Sequence, residues 1–298
     1  MEVSLSIAIP SFRRGEIALA SIRALSALER KADEILLVDQ TQDHPPDVVE
    51  ALQALHDAGT IRWLRLSEPS IPHAMNVGLL QARSEVVLFL DDDMVPDARL
   101  VAVHAEAQAQ APGLVAGQVL QPDQKPEPLR SGEPFRFNSI APADIREFMG
   151  GNFSVNRKMA LELGGFDENF VGAAYRFEAE FAYRWLHSFE VIRFEPAASI
   201  HHLAIPTGGT RAHGHHLRTV KPTHAVGAYY YWLCTRNPGW RRQALLRPLR
   251  AVRTRHHLRR PWWIPLTLLA ELRGFLMALQ LNRKGPSLVH TVSGARHG

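Results

Sequence analysis

The apolar run Val86-Val87-Leu88-Phe89-Leu90 breaks directly into Asp91-Asp92-Asp93. Five consecutive large apolar residues predict a strand covered on both faces, as in a parallel sheet, and the three carboxylates mark where that strand leaves the core. Carboxylates this close repel one another, so the cluster is unfavourable unless a cation or a cationic ligand group sits among them. The plain alternative is a solvated acidic turn capping the next helix.

The preceding residues alternate between the two periodicities. Val3 to Pro10 predicts a buried strand, and Gly15 to Arg30 repeats apolar residues at helical spacing through Ile17, Ile22, Leu25 and Leu28. Asp33 to Asp39 is a second strand, Asp47 to Ala58 a helix opened by Pro45-Pro46, Ile61 to Leu66 a third strand and Ile71 to Ala82 a helix. Such βαβα alternation predicts an α/β fold, a parallel sheet flanked by helices, whose ligands bind beyond the carboxyl ends of the strands. Asp39 and Asp91 to Asp93 both fall at such ends. Further on, the prolines between Gln121 and Pro142 predict a long, partly ordered loop over the active-site edge. Gly150 to Val155 then reads as a strand, Arg157 to Leu163 as a short helix, Phe177 to Ser188 as a helix carrying Glu178 and Glu180, and Val191 to Phe194 as a closing strand.

Composition narrows the setting. At 298 residues and 46% hydrophobic, the chain can build one large or two small cored domains. A single cysteine, Cys234, excludes an internal disulfide framework and a cysteine metal site, which fits a reducing compartment. The N-terminal residues lack a basic n-region and a long apolar h-region, so no secretory signal is expected and the cytoplasm is the expected location. Charge is unevenly placed: residues 236–298 hold 13 Lys and Arg against Glu271 alone, net +12, whereas the remainder has 21 basic and 29 acidic residues, net −8. Such a tail suits an anionic partner.

Ile7 to Arg14, the strand end Val38-Asp39-Gln40, Asn76-Val77-Gly78-Leu79, Ser84 to Pro96 with its aspartates, Gly151-Asn152-Phe153, Gly164-Gly165-Phe166-Asp167-Glu168, the acidic helix at Glu178 and the late His201-His202 follow one another in a specific order. That order and spacing, over residues 3 to 203, resembles family 2 glycosyltransferases. The resemblance implies a GT-A fold, a nucleotide-diphosphate sugar donor, a divalent cation and inversion at the anomeric carbon. It places Pro10, Ser11 and Arg14 with the nucleotide, Asp39 at its base, Asn76 near the donor, and Asp91 at the ribose or the metal shell. Asp92 sits beside the donor with the least definite role, and His202, or His201 in its place, completes the metal shell.

The chemistry accounts for these residue types independently. A sugar diphosphate leaves poorly unless its charge is neutralised, and Mn²⁺ or Mg²⁺ held by one or two carboxylates does that; Asp93 is the expected ligand. Inversion requires a general base across the site from the metal. Glu178 takes the place of the family's usual Asp, with Glu180 as the second candidate, although Glu180 also has Arg184 four residues on as an ion-pair partner. Met75 stands where an Arg often helps hold the donor, and Arg13 where an Asn often follows the first strand. Near Gly208-Gly209, His213, His215 and His216 form a loop suited to closing over a diphosphate with Arg211 or Arg218.

The sequence divides into a GT-A domain over residues 1–235 and a basic helical extension over 236–298. In the extension, Trp262-Trp263 leads into an apolar helix expected over Leu266 to Leu281, about 24 Å long and short of a bilayer's roughly 30 Å core. Paired Trp beside Arg clusters suits a segment lying at an anionic membrane surface, and a helix packed on the catalytic domain with a basic outer face is the alternative. The expected function is sugar transfer to a hydroxyl of a glycan or lipid-linked acceptor at the inner membrane face, in cell-surface polysaccharide or glycolipid assembly. A nucleotidyltransferase and a catalytically silent nucleotide-sugar-binding module are the alternatives. Nucleic acid is disfavoured as a partner because the basic tail holds no recognisable reading module.

Overall fold

The computed structural model describes residues 3–129, 132–209, 212 and 217–289. The first half follows the predicted alternation: β1 (Leu5–Ser11), α1 (Gly15–Ser26), β2 (Glu34–Asp39), α2 (Pro46–Asp57), β3 (Arg62–Arg65), α3 (Ile71–Gln81) and β4 (Val86–Leu90). Then come β5 (Met94–Pro96), α4 (Leu100–Gln110), β6 (Leu114–Leu120), β7 (Ala143–Ile145), β8 (Asn152–Asn156), α5 (Arg157–Glu162), α6 (Phe177–Phe189) and β9 (Ile192–His202). Helix α7 (Ala225–Thr235) closes the expected first domain, and the extension contains α8 (Trp240–Val252), α9 (Arg255–Arg259) and α10 (Trp263–Lys284).

These strands form one sheet in the order β3-β2-β1-β4-β8-β6-β9-β5, with β7 beside β9. It is mixed, which corrects the expectation of a parallel sheet. β8 runs antiparallel between β4 and β6, and β5 and β7 run antiparallel to β9. β1, β2, β3, β4, β6 and β9 share one direction, so the chain leaves β1, β2, β4, β6 and β9 at a common edge carrying Ser11, Asp39, Asp91, Gln121 and His202. The closing strand is longer than expected because Ser199 to His202 continue it past a bulge. Gly117 pairs with Glu195 and Gln118 with Ser199, leaving Pro196, Ala197 and Ala198 as extra residues on β9. Pro196 has no N–H to offer a ladder, which favours a bulge there.

Strand alternation divides the core between the two faces. Ala8 and Phe89 face one cluster, where Phe89 stacks on Phe153 at 5.0 Å and Phe166 on Phe181 at 4.3 Å. Ile7, Ile9, Leu88 and Leu90 face the other, with Ile22 of α1 and Leu100 of α4. The segment 121–142 starts at the active-site edge, where Gln121 lies 2.9 Å from His202, and is tied back to the sheet through Phe135, whose ring lies 4.8 Å from that of Phe194.

Helix α10 is 22 residues long, about 33 Å at the standard rise. It therefore exceeds the expected span, and by length and composition it could cross a membrane, with mean hydropathy 1.4 over a window of which 28% is buried. One face packs on α7: a Cβ at Gly274 would lie 2.6 Å from Ala225 Cβ. Buried Glu271 accepts from Tyr229 Oη at 2.8 Å and pairs with Arg247 of α8 at 2.9 Å. Beyond α10, Ser287 donates its N–H to Asp167 and Val289 to Gly164 O. The extension is thus fastened to the Gly164–Glu168 turn.

Asn76 holds that turn from the other side. Its amide donates to Phe166 O at 2.8 Å and Glu168 Oε1 at 2.9 Å, and its oxygen accepts Phe166 N–H at 2.7 Å. Asn76→Ala should lower the unfolding free energy by about 2 kcal/mol, read from the urea midpoint. An unchanged midpoint with weakened nucleotide binding would return Asn76 to a donor-binding role.

Candidate active site

After β4 the three aspartates diverge, each meeting different chemistry. Asp92 is buried; it accepts from Ser11 Oγ at 2.7 Å and from Arg14 at 2.9 Å. Burial pushes its carboxyl up to about 6 against the opposing pull of Arg14 and Ser11. Asp93, also buried, lies 3.1 Å from the same Arg14 nitrogen and 3.2 Å from His202 Nε2, and accepts Ile205 N–H at 2.9 Å. Burial alone would raise its pKa, but His202, the Ile205 N–H and Arg14 together hold it below the ordinary carboxylate value. Asp91 is half exposed and faces the cleft.

Arg14 supplies the cationic group that three adjacent carboxylates require. Its guanidinium also donates to Thr207 O at 2.7 Å and Ile205 O at 3.0 Å, fastening the chain after β9 over the cluster. The resemblance put Arg14 with the donor nucleotide; it lines the cleft, and its guanidinium is engaged by acids and carbonyls of this chain.

Asp91, Asp93 and His202 offer ligand atoms that all lie within 4.8 Å of one another. Two carboxylates and a neutral imidazole are a donor set suited to Mn²⁺ and acceptable to Mg²⁺, so the residues present fit the expected cation. Between the two histidines, the structure turns His202 to the acids and leaves His201 exposed. Gln121 Oε1, 2.9 Å from His202 Nδ1, orients the ring so that Nε2 points at the carboxylates. Across the cluster, a Cβ on Gly151 would meet Asp91 Oδ2 at 2.2 Å, so glycine is required for Asp91 to stand there. The Gly151-Asn152 backbone is held by Asn152, which donates to Gln118 O and Ala198 O and meets buried His104 at 3.0 Å. Burial pushes the His104 imidazole down to about 4, so it serves as a neutral strut.

Glu178 stands in the first turn of α6, against Gly150. Burial raises its carboxyl to about 7; hydrogen bonds from its own N–H and from Gly150 oppose the shift, while Asp91 and Glu147 add to it. Such a value suits a group that exchanges protons near neutrality. Glu180 is different: it is buried and held by Arg184 through contacts of 2.6 and 2.8 Å, while Arg184 also donates to Leu163 O and Gly165 O. Glu180 is therefore a structural acid that ties α6 to the Gly164–Glu168 turn.

The remaining expected residues separate. Pro10 lines the cleft with Phe12, Gln40, Pro69, Ser70 and Ile71. Ser11 is spent on Asp92, and Asp39 is buried and accepts from Thr41 N–H, Trp63 Nε1 and His44 at 2.9, 2.9 and 2.7 Å. Asn76 belongs to the turn described above. Arg211, His213, His215 and His216 lie outside the described residues, and Arg218 is exposed. Gln121 and His104 carry no local signal of a role at the site, and Gln40 belongs to a matched strand end without a role of its own; the packing of the sheet and α4 brings them near the aspartates.

Residues 6–181 match the profile of Glycosyl transferase family 2. The chain belongs to that family, and its mixed sheet with flanking helices is a GT-A fold. Among solved structures it is similar to GalNAc-T7 with UDP, GalNAc and Mn²⁺ (TM-score 0.57, 15% identity, 68% of this chain and 44% of that one). It therefore spans less than half of the GalNAc-T7 chain. It is similar to the mannosyltransferase PcManGT from Pyrobaculum calidifontis in complex with GDP-Man and Mn²⁺ (TM-score 0.54, 18% identity, 96% and 80% covered). It is also similar to S. aureus TarS 1-349 in complex with UDP-GlcNAc (TM-score 0.56, 10% identity, 95% and 92% covered). No curated protein sequence matches the chain.

Asp93→Ala should lower Mn²⁺ affinity more than about tenfold in a calorimetric titration, and unchanged affinity would place the cation elsewhere.

Proposed function

We propose that the protein transfers a sugar, with inversion, from a nucleotide-diphosphate donor to a hydroxyl of a glycan or lipid-linked acceptor. The observation that carries this reading is the placement of Glu178 across Gly150-Gly151 from Asp91, Asp93 and His202, at the carboxyl edge of a GT-A sheet. The three structures named above carry UDP, GDP-Man and UDP-GlcNAc, which supports a nucleotide-sugar donor here. When bound, Mn²⁺ or Mg²⁺ supplies charge neutralisation of the departing diphosphate. This chain's own residues do the rest. Asp91, Asp93 and His202 hold the cation, Pro10, Phe12 and Gln40 line the space for the nucleotide, and Arg14 keeps the acids fixed. The Glu178 carboxylate accepts the acceptor hydroxyl's proton as its oxygen attacks from the face opposite the diphosphate.

The same reading places the enzyme on the cytoplasmic face of a membrane, in polysaccharide or glycolipid assembly. Its support is the surface of the extension. Leu245 and Leu249 of α8, Leu258 of α9, Trp262, and Leu268, Leu269, Leu272 and Leu276 of α10 are exposed among Arg residues. Apolar side chains interleaved with cations are the composition of a helix face lying in an anionic lipid interface. The opposite face of α10 is committed to α7, which favours docking over spanning.

With manganese and a panel of nucleotide sugars, the purified protein should release nucleoside diphosphate. Pyrophosphate release would make it a nucleotidyltransferase, and no turnover with any donor a silent binder. Glu178→Gln should lower kcat by about 10² to 10⁴ and remove the acid limb near pH 7 from the kcat/KM profile. The folded carboxyl binds its proton more tightly than the unfolded one, so the wild-type protein loses stability as pH rises from about 4.5 to about 7. Glu178→Gln should therefore melt higher than wild type at pH 8 and equally at pH 4. For the extension, wild-type protein should sediment with vesicles containing anionic lipid at physiological salt, and Leu272→Asp/Leu276→Asp should stay in the supernatant. A soluble wild type would sink the docking.

A further inference from the structure

A second cavity, of about 630 Å³, lies between the approach to α6, residues 217–224 and the helices α7, α8 and α10. That volume is in the range of small-molecule sites. Its wall carries Arg176, Lys221, Arg247 and Arg250; Arg176 pairs with Glu147 at 3.1 Å and Arg247 with Glu271, which also accepts from the Tyr229 hydroxyl, so the excess of positive charge on the wall rests on Lys221 and Arg250. Lys221 and Arg250 are exposed. A concave site with this excess of cations attracts an anion, and guanidinium groups match phosphate oxygens in particular. Tyr175 and Trp232 add aromatic surface beside the charges.

The cavity is continuous in the chain with the acidic cleft. Gly172 lines the cleft, whereas Tyr175 and Arg176 line the cavity, and Arg176 directly precedes α6, two residues before Glu178. This short wall is packed closely. Gly172, Ala174 and Arg176 have φ of +69°, +49° and +77°, and a Cβ on Gly227 would stand 2.2 Å from Tyr175 O, so α7 presses directly on the wall's backbone. On the far side, Ala270 and Glu271 of α10 face the cavity while Leu268, Leu269 and Leu272 face outward. An anionic head in the cavity could thus be joined to an apolar chain on the helix that forms its rim.

We propose that this cavity is the acceptor subsite and holds the phosphate or diphosphate group of a phosphorylated acceptor, whose hydroxyl reaches Glu178 past Tyr175 and Arg176. The assignment rests on the transfer reaction proposed above. It names the acceptor as a phosphate ester, carried either by a lipid or by a soluble sugar.

Calorimetry on the full chain tests it, in EDTA so that no cation draws phosphate to the aspartates, with inorganic pyrophosphate and geranyl diphosphate as probes. Wild type should bind. Lys221→Glu/Arg250→Glu should weaken binding at least about tenfold, Arg250→Ala alone should weaken it less, and Asp93→Ala should not weaken it. Tighter binding of geranyl diphosphate supports the lipid source, and equal binding the soluble one. Failure of wild type to bind either probe, or wild-type affinity in both Lys221/Arg250 variants, overturns the subsite. Nucleoside diphosphate release is read separately: its absence with every donor overturns the transfer reaction and with it the acceptor role, whereas release alongside unchanged probe binding in the variants overturns the subsite alone.

Discussion

The ion pair between Arg14 and the Asp92–Asp93 carboxylates is the interaction on which the site depends. Three consecutive aspartates at the end of a buried strand could not be packed there without a fixed positive charge, and burying two of them raises the cost further. One guanidinium answers both, and its remaining N–H groups reach across to Ile205 and Thr207. The first strand's exit, the fourth strand's exit and the segment after the ninth strand are joined at a single side chain. Asp91 is left out of this arrangement, half exposed, and with His202 and Asp93 it forms the donor set facing the cleft.

Around that centre the glycines at 150 and 151 act by absence. They leave room for the acidic cluster and the head of α6 to approach closely, so a carboxylate raised to about 7 stands opposite the Asp91–Asp93–His202 group. Glu178 itself is half-buried, and the helix that carries it is secured by the aromatic packing of Phe166, Phe181 and Trp185 and by the Glu180–Arg184 pair. The C-terminal helices belong to this structure as well. Glu271, Tyr230 and Ser287 connect them to α7 and to Asp167, so the extension is part of the packed body.

The half of the sheet built from local βα units was legible in the sequence, because each strand is a short apolar run ending at a polar residue. The aspartate triplet, Glu178 and the late histidines were legible as residue types in a specific order. The antiparallel insertion of β8 was not, since pairing between residues such as Phe89 and Phe153 is set by distant packing. Helix α4 escaped because it is buried on several sides, through Val101, Val103, His104 and Ala107, and so shows no single apolar stripe. Asp39, Asn76 and Glu180 show the limit at the site. Their types and places match the expectation, yet the partners that engage them come from residues no local pattern identifies.

The bulge on β9 has a consequence for the Asp91–Asp93–His202 group. Side chains alternate across a strand, and three extra residues are an odd number, so the bulge exchanges the two faces: Ile192 and Phe194 point to one core cluster, Ala198 and Ile200 to the other. Parity therefore decides which of two adjacent histidines meets the carboxylates. A one-residue insertion within Pro196–Ala198 that leaves the bulge in register would bring His201 to the place of His202, exchanging one imidazole for the other with no change of residue type at that point of the strand.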